Sequence, residues 1–181
     1  GANVVANAWN YVSFTYNKLT NSLNMFVNDQ NVGTFTDVEL NTETNHNEFY
    51  VAKNTVSETS FVGDVDDIVV YNRQLAPEQL YAKYEPVIDT IMLQNKVAGH
   101  WTFNDLKVVL DEFVDKSVIK SNMTVVGNVI AGDNQTIGNR SVKFDGTPTT
   151  YVEAVNASLD ASVLTVGTWV KPETLSSQTF V

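Results

Sequence analysis

Short runs of β-branched and aromatic residues, separated by polar turns, recur along this 181-residue chain and limit most strongly what it can fold into. The first run covers residues 9–16, and residues 23–27 and 32–36 form two more around a polar turn. β-Branched and aromatic side chains favour strands, and a paired run with a short turn is typical of a hairpin. The sequence therefore predicts a β-rich protein that begins with a strand and a hairpin.

The strand pattern continues towards the C-terminal end. Further strands are predicted at residues 49–52, 60–71, 99–104, 121–126, 141–147, 151–154 and 163–171. Short strands at this spacing are typical of a sandwich or a barrel. One short helix is predicted at residues 77–84, because Pro77 and Glu78 suit a first helical turn and Pro86 disfavours helix in the residue before it.

Composition and charge exclude several functions. The formal net charge of −10 repels phosphate backbones and anionic lipid surfaces, so nucleic-acid binding is not expected. No apolar run approaches the roughly 18 residues that a spanning helix needs, so membrane insertion is not expected either. The chain has no cysteine, and a metal would therefore depend on oxygen ligands or on its two histidines, His46 and His100. Oxygen ligands favour calcium.

Two groups of motifs resemble halves of a known domain. The first group is WNYVSFTYN at residues 9–17, LNMFVND at residues 23–29 and FVGDVDDIVVYNRQLAPEQL at residues 61–80. It resembles the C-terminal half of a laminin G-like, concanavalin A-like jelly-roll domain. The second group is HWTFN at residues 100–104, SVKFDG at residues 141–146, YV at residues 151–152 and LTVGTWVKP at residues 164–172. It is similar to the N-terminal half, and the resemblance implies an antiparallel jelly-roll β-sandwich.

The two halves occur in inverted order. We therefore divide the chain into a C-terminal half at residues 1–86, a linker at residues 87–98 and an N-terminal half at residues 99–181. Three arrangements fit this order: a segment of a longer protein with tandem copies, a circularly permuted domain, or halves that pair with a neighbouring chain. We expect the tandem segment, because such domains often occur in arrays and neither end resembles a natural terminus.

The resemblance also implies where a metal would bind. Some members of this family hold calcium with Asp side chains and backbone carbonyls, so Asp64, Asp66 and Asp67 are the first candidates. Asp111 and Asp115 are the second, in a segment where the family often has a calcium-contacting or loop-ordering Asp. The alternative for Asp64, Asp66 and Asp67 is that they are turn and edge residues that cap backbone amides and keep the sheet soluble. Residues 1–90 carry a net charge of −8 of the total of −10 and are the half that attracts cations.

Sugar binding needs exposed aromatic rings and hydrogen-bonding side chains. Trp9, Trp101 and Trp169 lie inside the strand motifs, where the resemblance implies that they fill the core, and Phe144 is expected to be buried as well. The ligand-binding candidates are residues of predicted loops and strand ends. They are Asn45, His46, Asn47, Tyr50 and Asn104.

Catalysis is not predicted. Jelly rolls of this shape include glucan hydrolases that place paired carboxylates on one strand in a Glu-x-Asp-x-x-Glu pattern. Residues 111–115 are the only local approximation, and they lack that pattern. No nucleophile elbow or phosphate loop occurs either.

The predicted function is therefore recognition or adhesion by a module of a secreted, cell-surface or virion-surface protein. Its expected partners are glycans or neighbouring protein copies in a larger assembly. The alternative is a structural building block of a filament, fibre or virion surface. Four glycosylation acceptors fit such a location but occur at about the frequency that chance predicts. They are Asn122, Asn134, Asn139 and Asn156.

Overall fold

The computed structural model describes most of the chain. The described residues are 3–28, 30–38, 48–53, 60–76, 79, 97–107, 111–132, 138–155 and 162–175, without the side chains of 105–107. They contain twelve strands: β1 Asn10–Asn17, β2 Ser22–Val27, β3 Gln30–Phe35, β4 Glu48–Val51, β5 Val62–Tyr71, β6 Val97–Lys107, β7 Glu112–Asp115, β8 Met123–Val126, β9 Ile130–Gly132, β10 Ser141–Asp145, β11 Tyr151–Val155 and β12 Val163–Pro172. Their pairings are antiparallel, which confirms the predicted all-β class.

The predicted helix at residues 77–84 lies outside the described residues except for Gln79. The backbone N–H of Gln79 donates to the carbonyl of Ala76 at 2.9 Å. The side-chain Oε1 of Gln79 accepts a hydrogen bond from the backbone N–H of Ala76 at 3.1 Å. This return bond resembles half of a capping box, in which a Gln three residues after the cap satisfies the free N–H of the cap.

The strand order interleaves the two halves of the sequence. It runs β3-β2-β1-β12-β5-β6-β7-β8-β11-β4, and β10 pairs with β5 and β9. β12 thus lies between β1 and β5, with Trp169 opposite Tyr11 on one side and opposite Asp66 on the other. Strands from both halves of the sequence are therefore paired in one sheet within this chain.

The sheet curls over so that its strands enclose a core. β6 pairs with β5 at its start and with β7 at its end, across a break in register between Trp101 and Leu106. Phe49 on β4 stacks on Trp101 with ring centroids 5.9 Å apart and planes 12° apart. Four steps in the order separate β6 from β4, which is roughly 19 Å in a flat sheet at about 4.8 Å per strand. The contact therefore requires two layers packed face to face, as in a sandwich.

One hydrophobic core joins the strands of both halves. Its buried residues are Val51, Ala52, Phe61, Val65, Ile68, Val70, Ala98, Trp101, Phe103, Phe113, Met123, Val142, Phe144, Val152, Ala154, Val166 and Val170. Val12 and Phe14 of β1 pack against it. Trp101 and Phe144 are fully buried there, as predicted.

The other two tryptophans have different outcomes. Trp169 is buried, as predicted, and it contacts Tyr11 with ring centroids 5.3 Å apart. The ring of Tyr11 also excludes any side chain at Gly167, where an added Cβ lies only 2.0 Å from the Tyr11 hydroxyl. The prediction for Trp9 is wrong, since it is only half-buried. Trp9 precedes the first residue of β1, so the pairing of that strand does not fix the position of its side chain.

Candidate ligand-binding site

A cluster of polar and aromatic side chains lies where β4 pairs with β11. Val51 lies opposite Val152 and Tyr50 lies opposite Glu153. Val51 and Val152 are completely buried in the core. Side chains alternate between the two faces of a strand, so Tyr50 and Glu153 lie on the outer face. Tyr151 shares that face, two residues before Glu153.

Aromatic and charged contacts fix this cluster. The rings of Tyr50 and Tyr151 meet edge to face, with centroids 5.8 Å apart and planes 76° apart. The ammonium of Lys53 lies 3.6 Å from the Tyr50 ring centroid and 4.5 Å from the Tyr151 centroid. The Tyr50 hydroxyl donates a hydrogen bond to Glu48. We call Glu48, Tyr50, Lys53, Tyr151 and Glu153 the tyrosine platform.

The same contacts set the protonation states of the platform. The hydrogen bond to Glu48, with partial burial, raises the pKa of Tyr50 above its ordinary value. Burial alone lowers the pKa of Lys53, but the contact with Tyr50 and the charges of Tyr151 and Glu153 raise it overall. At neutral pH Tyr50 is therefore a neutral phenol and Lys53 a charged ammonium.

Of the predicted ligand residues, the structure places Tyr50 in the platform. Asn45, His46 and Asn47 lie outside the described residues. Asn104 lies on β6, and its side-chain oxygen accepts hydrogen bonds from the backbone N–H groups of Asn139 at 2.6 Å and Arg140 at 3.0 Å. These bonds order the turn before β10.

Sequence reasoning missed four members of the platform: Glu48, Lys53, Tyr151 and Glu153. Glu48 and Tyr50 are two residues apart, as are Tyr151 and Glu153, so each pair shares a strand face. That spacing was readable in the sequence. The pairing of β4 with β11 was not, because about a hundred residues separate them.

The acidic residues of β5 each have different surroundings. Asp64 is buried, and the Ser141 hydroxyl donates to it at 3.5 Å. Burial raises the pKa of Asp64, and the charges of Lys143 and Lys171 partly offset this. The Oδ1 atom of Asp67 lies 2.7 Å from Nε2 of His100.

A β-bulge breaks the alternation of the β5 acids. The register with β12 shifts between Gly167 and Trp169, so two β5 residues, Asp67 and Ile68, oppose one residue of β12. Asp67 has a φ of 51°, in the left-handed region that Asp tolerates better than most residues. Asp66 is completely buried, and its carbonyl accepts a hydrogen bond from the Thr168 hydroxyl at 3.2 Å.

Asp115 is a loop-ordering residue. Its buried carboxylate accepts hydrogen bonds from the backbone N–H groups of His100 at 2.9 Å, Ser117 at 2.8 Å and Ser121 at 2.9 Å, and from the Ser117 hydroxyl at 2.7 Å. Asp111 is exposed, and its carbonyl accepts a bond from the N–H of Val125 at 2.7 Å. In the described part of the chain, no three His, Asp or Glu side chains converge so that they could hold a metal ion. Calcium binding stays a prediction.

Two of the predicted glycosylation acceptors are described. The Asn122 side chain donates to Glu112 at 2.7 Å and accepts from the N–H of Asp115 at 3.0 Å. Asn139 is exposed. Asn134 and Asn156 lie outside the described residues. Of the two described acceptors, Asn139 is therefore the one whose side chain is open to modification.

Comparison with known proteins gives one family. Residues 1–80 match the model of a laminin G family described as the concanavalin A-like lectin/glucanases superfamily. Neither the curated proteins nor the solved structures gave a match. A search of the described residues found no helix with the length and apolarity that crossing a membrane requires. The resemblance of the first segment is thereby confirmed: residues 1–80 carry a laminin G-like sequence of the concanavalin A-like lectin/glucanase superfamily, within an all-β antiparallel fold.

Proposed function

We propose that this protein is a non-catalytic recognition module that binds carbohydrate through the tyrosine platform. The observation that carries the proposal is the pair of half-buried tyrosine rings held edge to face on the outer side of β4 and β11. The superfamily of residues 1–80 is compatible with binding of carbohydrate or protein.

The chemistry of the platform suits a polyhydroxylated ligand. Aromatic faces provide apolar contact area for the C–H groups of a sugar ring. Glu48 and Glu153 accept hydrogen bonds from hydroxyl groups, and Lys53 donates them. Two carboxylates against one ammonium favour a neutral sugar over an anionic one, and so does the net charge of −10.

Lys53 is the movable part of this site. Its ammonium lies over the Tyr50 ring, and Glu153 is among the charges that raise its pKa. A sugar that stacks on Tyr50 displaces the ammonium towards Glu153, where its charge stays paired. The flexible four-carbon stem of lysine allows this movement at low cost.

The contacts of Asp115 support a non-catalytic role. Asp115 belongs to the acidic segment that was the only local approximation to a glucan hydrolase carboxylate pair. Its two carboxylate oxygens already accept four hydrogen bonds within the protein. A general acid or base must instead reach the substrate. Secretion or display on a cell or virion surface, where such a module meets glycans, is part of the proposal.

A glycan array followed by titration calorimetry tests this function. We expect binding of a neutral glycan, and Tyr50→Ala and Tyr151→Ala should each weaken it about tenfold, or ~1.4 kcal/mol. Phe35→Ala, at an exposed aromatic residue of β3, is the matched control and should bind as the parent does. A folded parent protein that binds no glycan, or tyrosine variants with unchanged affinity, overturns the proposal.

A further inference from the structure

The ammonium of Lys53 lies between aromatic rings and carboxylates on the outer face of β4 and β11. It is 3.6 Å from the centroid of the Tyr50 ring and 4.5 Å from that of Tyr151. Glu48 accepts a hydrogen bond from the Tyr50 hydroxyl, and Glu153 lies opposite Tyr50. Aromatic faces attract cations, and carboxylates nearby strengthen that attraction. The tyrosine platform is thus a place for an ammonium group, which the chain fills with its own side chain.

The backbone brings this ammonium to the platform through an uncommon conformation. Ala52 directly follows β4 and has a φ of 65°, in the left-handed region that alanine rarely adopts. Val51 and Ala52 are both completely buried in the core, so the regular alternation of strand faces ends here. Lys53, the next residue, lies over the ring of Tyr50 on the outer face. Sparsely populated backbone conformations are concentrated at ligand sites, where the surrounding structure holds them in place.

Lys53 can leave this position and keep its charge paired. Burial lowers the pKa of Lys53, but the contact with Tyr50 and the charges of Tyr151 and Glu153 raise it overall, so these surroundings favour a positive charge. The stem of a lysine is flexible, and Glu153 is an ion-pair partner away from the rings. A ligand with its own ammonium can therefore occupy the space over the two rings while Lys53 stays paired with Glu153.

Charge indicates the class of ligand. The platform has two carboxylates, Glu48 and Glu153, and one ammonium, so its formal charges leave one negative charge in excess. A neutral sugar leaves that excess unchanged, whereas a sugar with one ammonium balances it. The formal net charge of −10 acts in the same direction at longer range, because it attracts cations.

An amino sugar fits the platform better than a lysine of another protein does. Such a lysine offers the same ammonium as Lys53, which belongs to the same chain and competes at a high effective concentration. An amino sugar adds hydroxyl groups, which can form hydrogen bonds with Glu48, Glu153 and the displaced Lys53. Its ring also adds apolar contact area on the tyrosines.

We propose that the ligand of the tyrosine platform is an amino sugar with an unsubstituted amine, such as glucosamine, whose ammonium replaces that of Lys53 over the rings of Tyr50 and Tyr151. This inference rests on the proposed carbohydrate binding and narrows it to a cationic class of sugar. Lys53 moves towards Glu153 when the ligand binds and returns when the ligand leaves. It is thereby an internal competitor for the site.

Titration calorimetry of the whole chain with three trisaccharides tests the proposal. They share one linkage and end in glucosamine, N-acetylglucosamine or glucose, at a pH where the amine of glucosamine is protonated. We expect the glucosamine compound to bind about tenfold more tightly than either neutral one. It should also bind more tightly than a peptide with a single lysine. Equal affinities for the three sugars, or tighter binding of the peptide, overturns the proposal.

Lys53→Met separates the platform from the general attraction of a cation to an acidic protein. This change removes the competing ammonium and keeps an unbranched stem, so the affinity for the glucosamine trisaccharide should rise about tenfold. The affinity for the glucose trisaccharide should not rise, because a hydrogen-bond donor is lost. Lys18→Met makes the same charge change in the exposed turn after β1 and should alter both affinities little. Equal effects of the two variants contradict the proposal.

Glu153→Gln gives a second readout if Lys53→Met fails to fold. It keeps a hydrogen-bonding side chain but removes the charge that pairs with the displaced Lys53. The preference for glucosamine over glucose should therefore fall to about threefold or less. An unchanged preference contradicts the proposal.

The two proposals about this site can fail separately. If the chain binds a neutral glycan on the array but shows no preference for the amine, this inference is wrong and the proposed function stands. If it binds no glycan at all, neutral or cationic, both are wrong.

Discussion

The two strands at the ends of the strand order, β4 and β3, differ in the charge and polarity of their surroundings. At one end, β4 carries Glu48, is followed by Lys53 and pairs with a strand that contains Glu153. At the other end, β3 has no charged residue and is surrounded by exposed apolar side chains. Charges next to an edge strand discourage pairing with another strand and favour polar ligands, whereas a neutral edge leaves the backbone available. The same fold therefore ends in one edge with charged and aromatic side chains and in another that is neutral and partly apolar.

The largest effect is expected from a change in the main core, which includes β4 and reaches β1. Trp101→Ala removes a fully buried side chain and the stacking partner of Phe49 on β4. We expect a loss of about 3–5 kcal/mol in the free energy of unfolding, from the cavity that it creates. Denaturant titration should show a single transition in the parent. Two separate transitions would mean that the two ends belong to independent units. Leu19→Ala, at an exposed site, is the control.

A smaller effect, confined to the β4 end, is expected from Asp115→Ala. The loop that Asp115 orders contacts β11 through the Ser121 hydroxyl, which donates to the Val155 carbonyl at 2.7 Å. Unpaired backbone N–H groups should cost roughly 2–4 kcal/mol of stability. Glycan affinity of the folded fraction should fall as well.

Asp115→Asn keeps one oxygen acceptor and is the matched control, with a smaller expected loss. The cost of Asp115→Ala should be equal in millimolar calcium and in chelator, since the partners of Asp115 are N–H and O–H donors of the protein. A cost that appears only with calcium would instead identify Asp115 as a metal ligand.

The smallest effect is expected on the pKa of one side chain, Tyr50 of β4. Glu48→Gln removes the carboxylate that raises the pKa of Tyr50, so this pKa should fall towards its ordinary value of 10.0. The phenol then ionises at lower pH, which an alkaline titration followed by NMR detects. Glu153→Gln is the control, because it makes the same charge change opposite Tyr50 but leaves the hydrogen bond between Tyr50 and Glu48 in place. Equal titration of Tyr50 in the parent and in Glu48→Gln would show that the bond does not persist in solution.

Local sequence features predicted where the strands lie in the sequence but not which strands pair with each other. The runs that became β1, β2, β3 and β5 were readable from side-chain type, and the fold class followed from their spacing. Tyr50 was predicted as a ligand residue, but its neighbour Tyr151 lies 101 residues further along and has no local link to it. The role of Asp115 was equally hidden, because three of its partners are backbone N–H groups that any residue can offer.

The position of β12 has a consequence for how the chain is made. β1 and β5 leave the ribosome early, but the strand that lies between them begins 92 residues after Tyr71, at Val163. At about 5–20 residues per second, this interval is on the order of 5–20 s. During that time β1 and β5 each lack their shared neighbour and expose apolar surface. The first half therefore cannot complete its sheet until the second half has been synthesised. We expect nascent chains that stall before Val163 to aggregate readily and to bind chaperones.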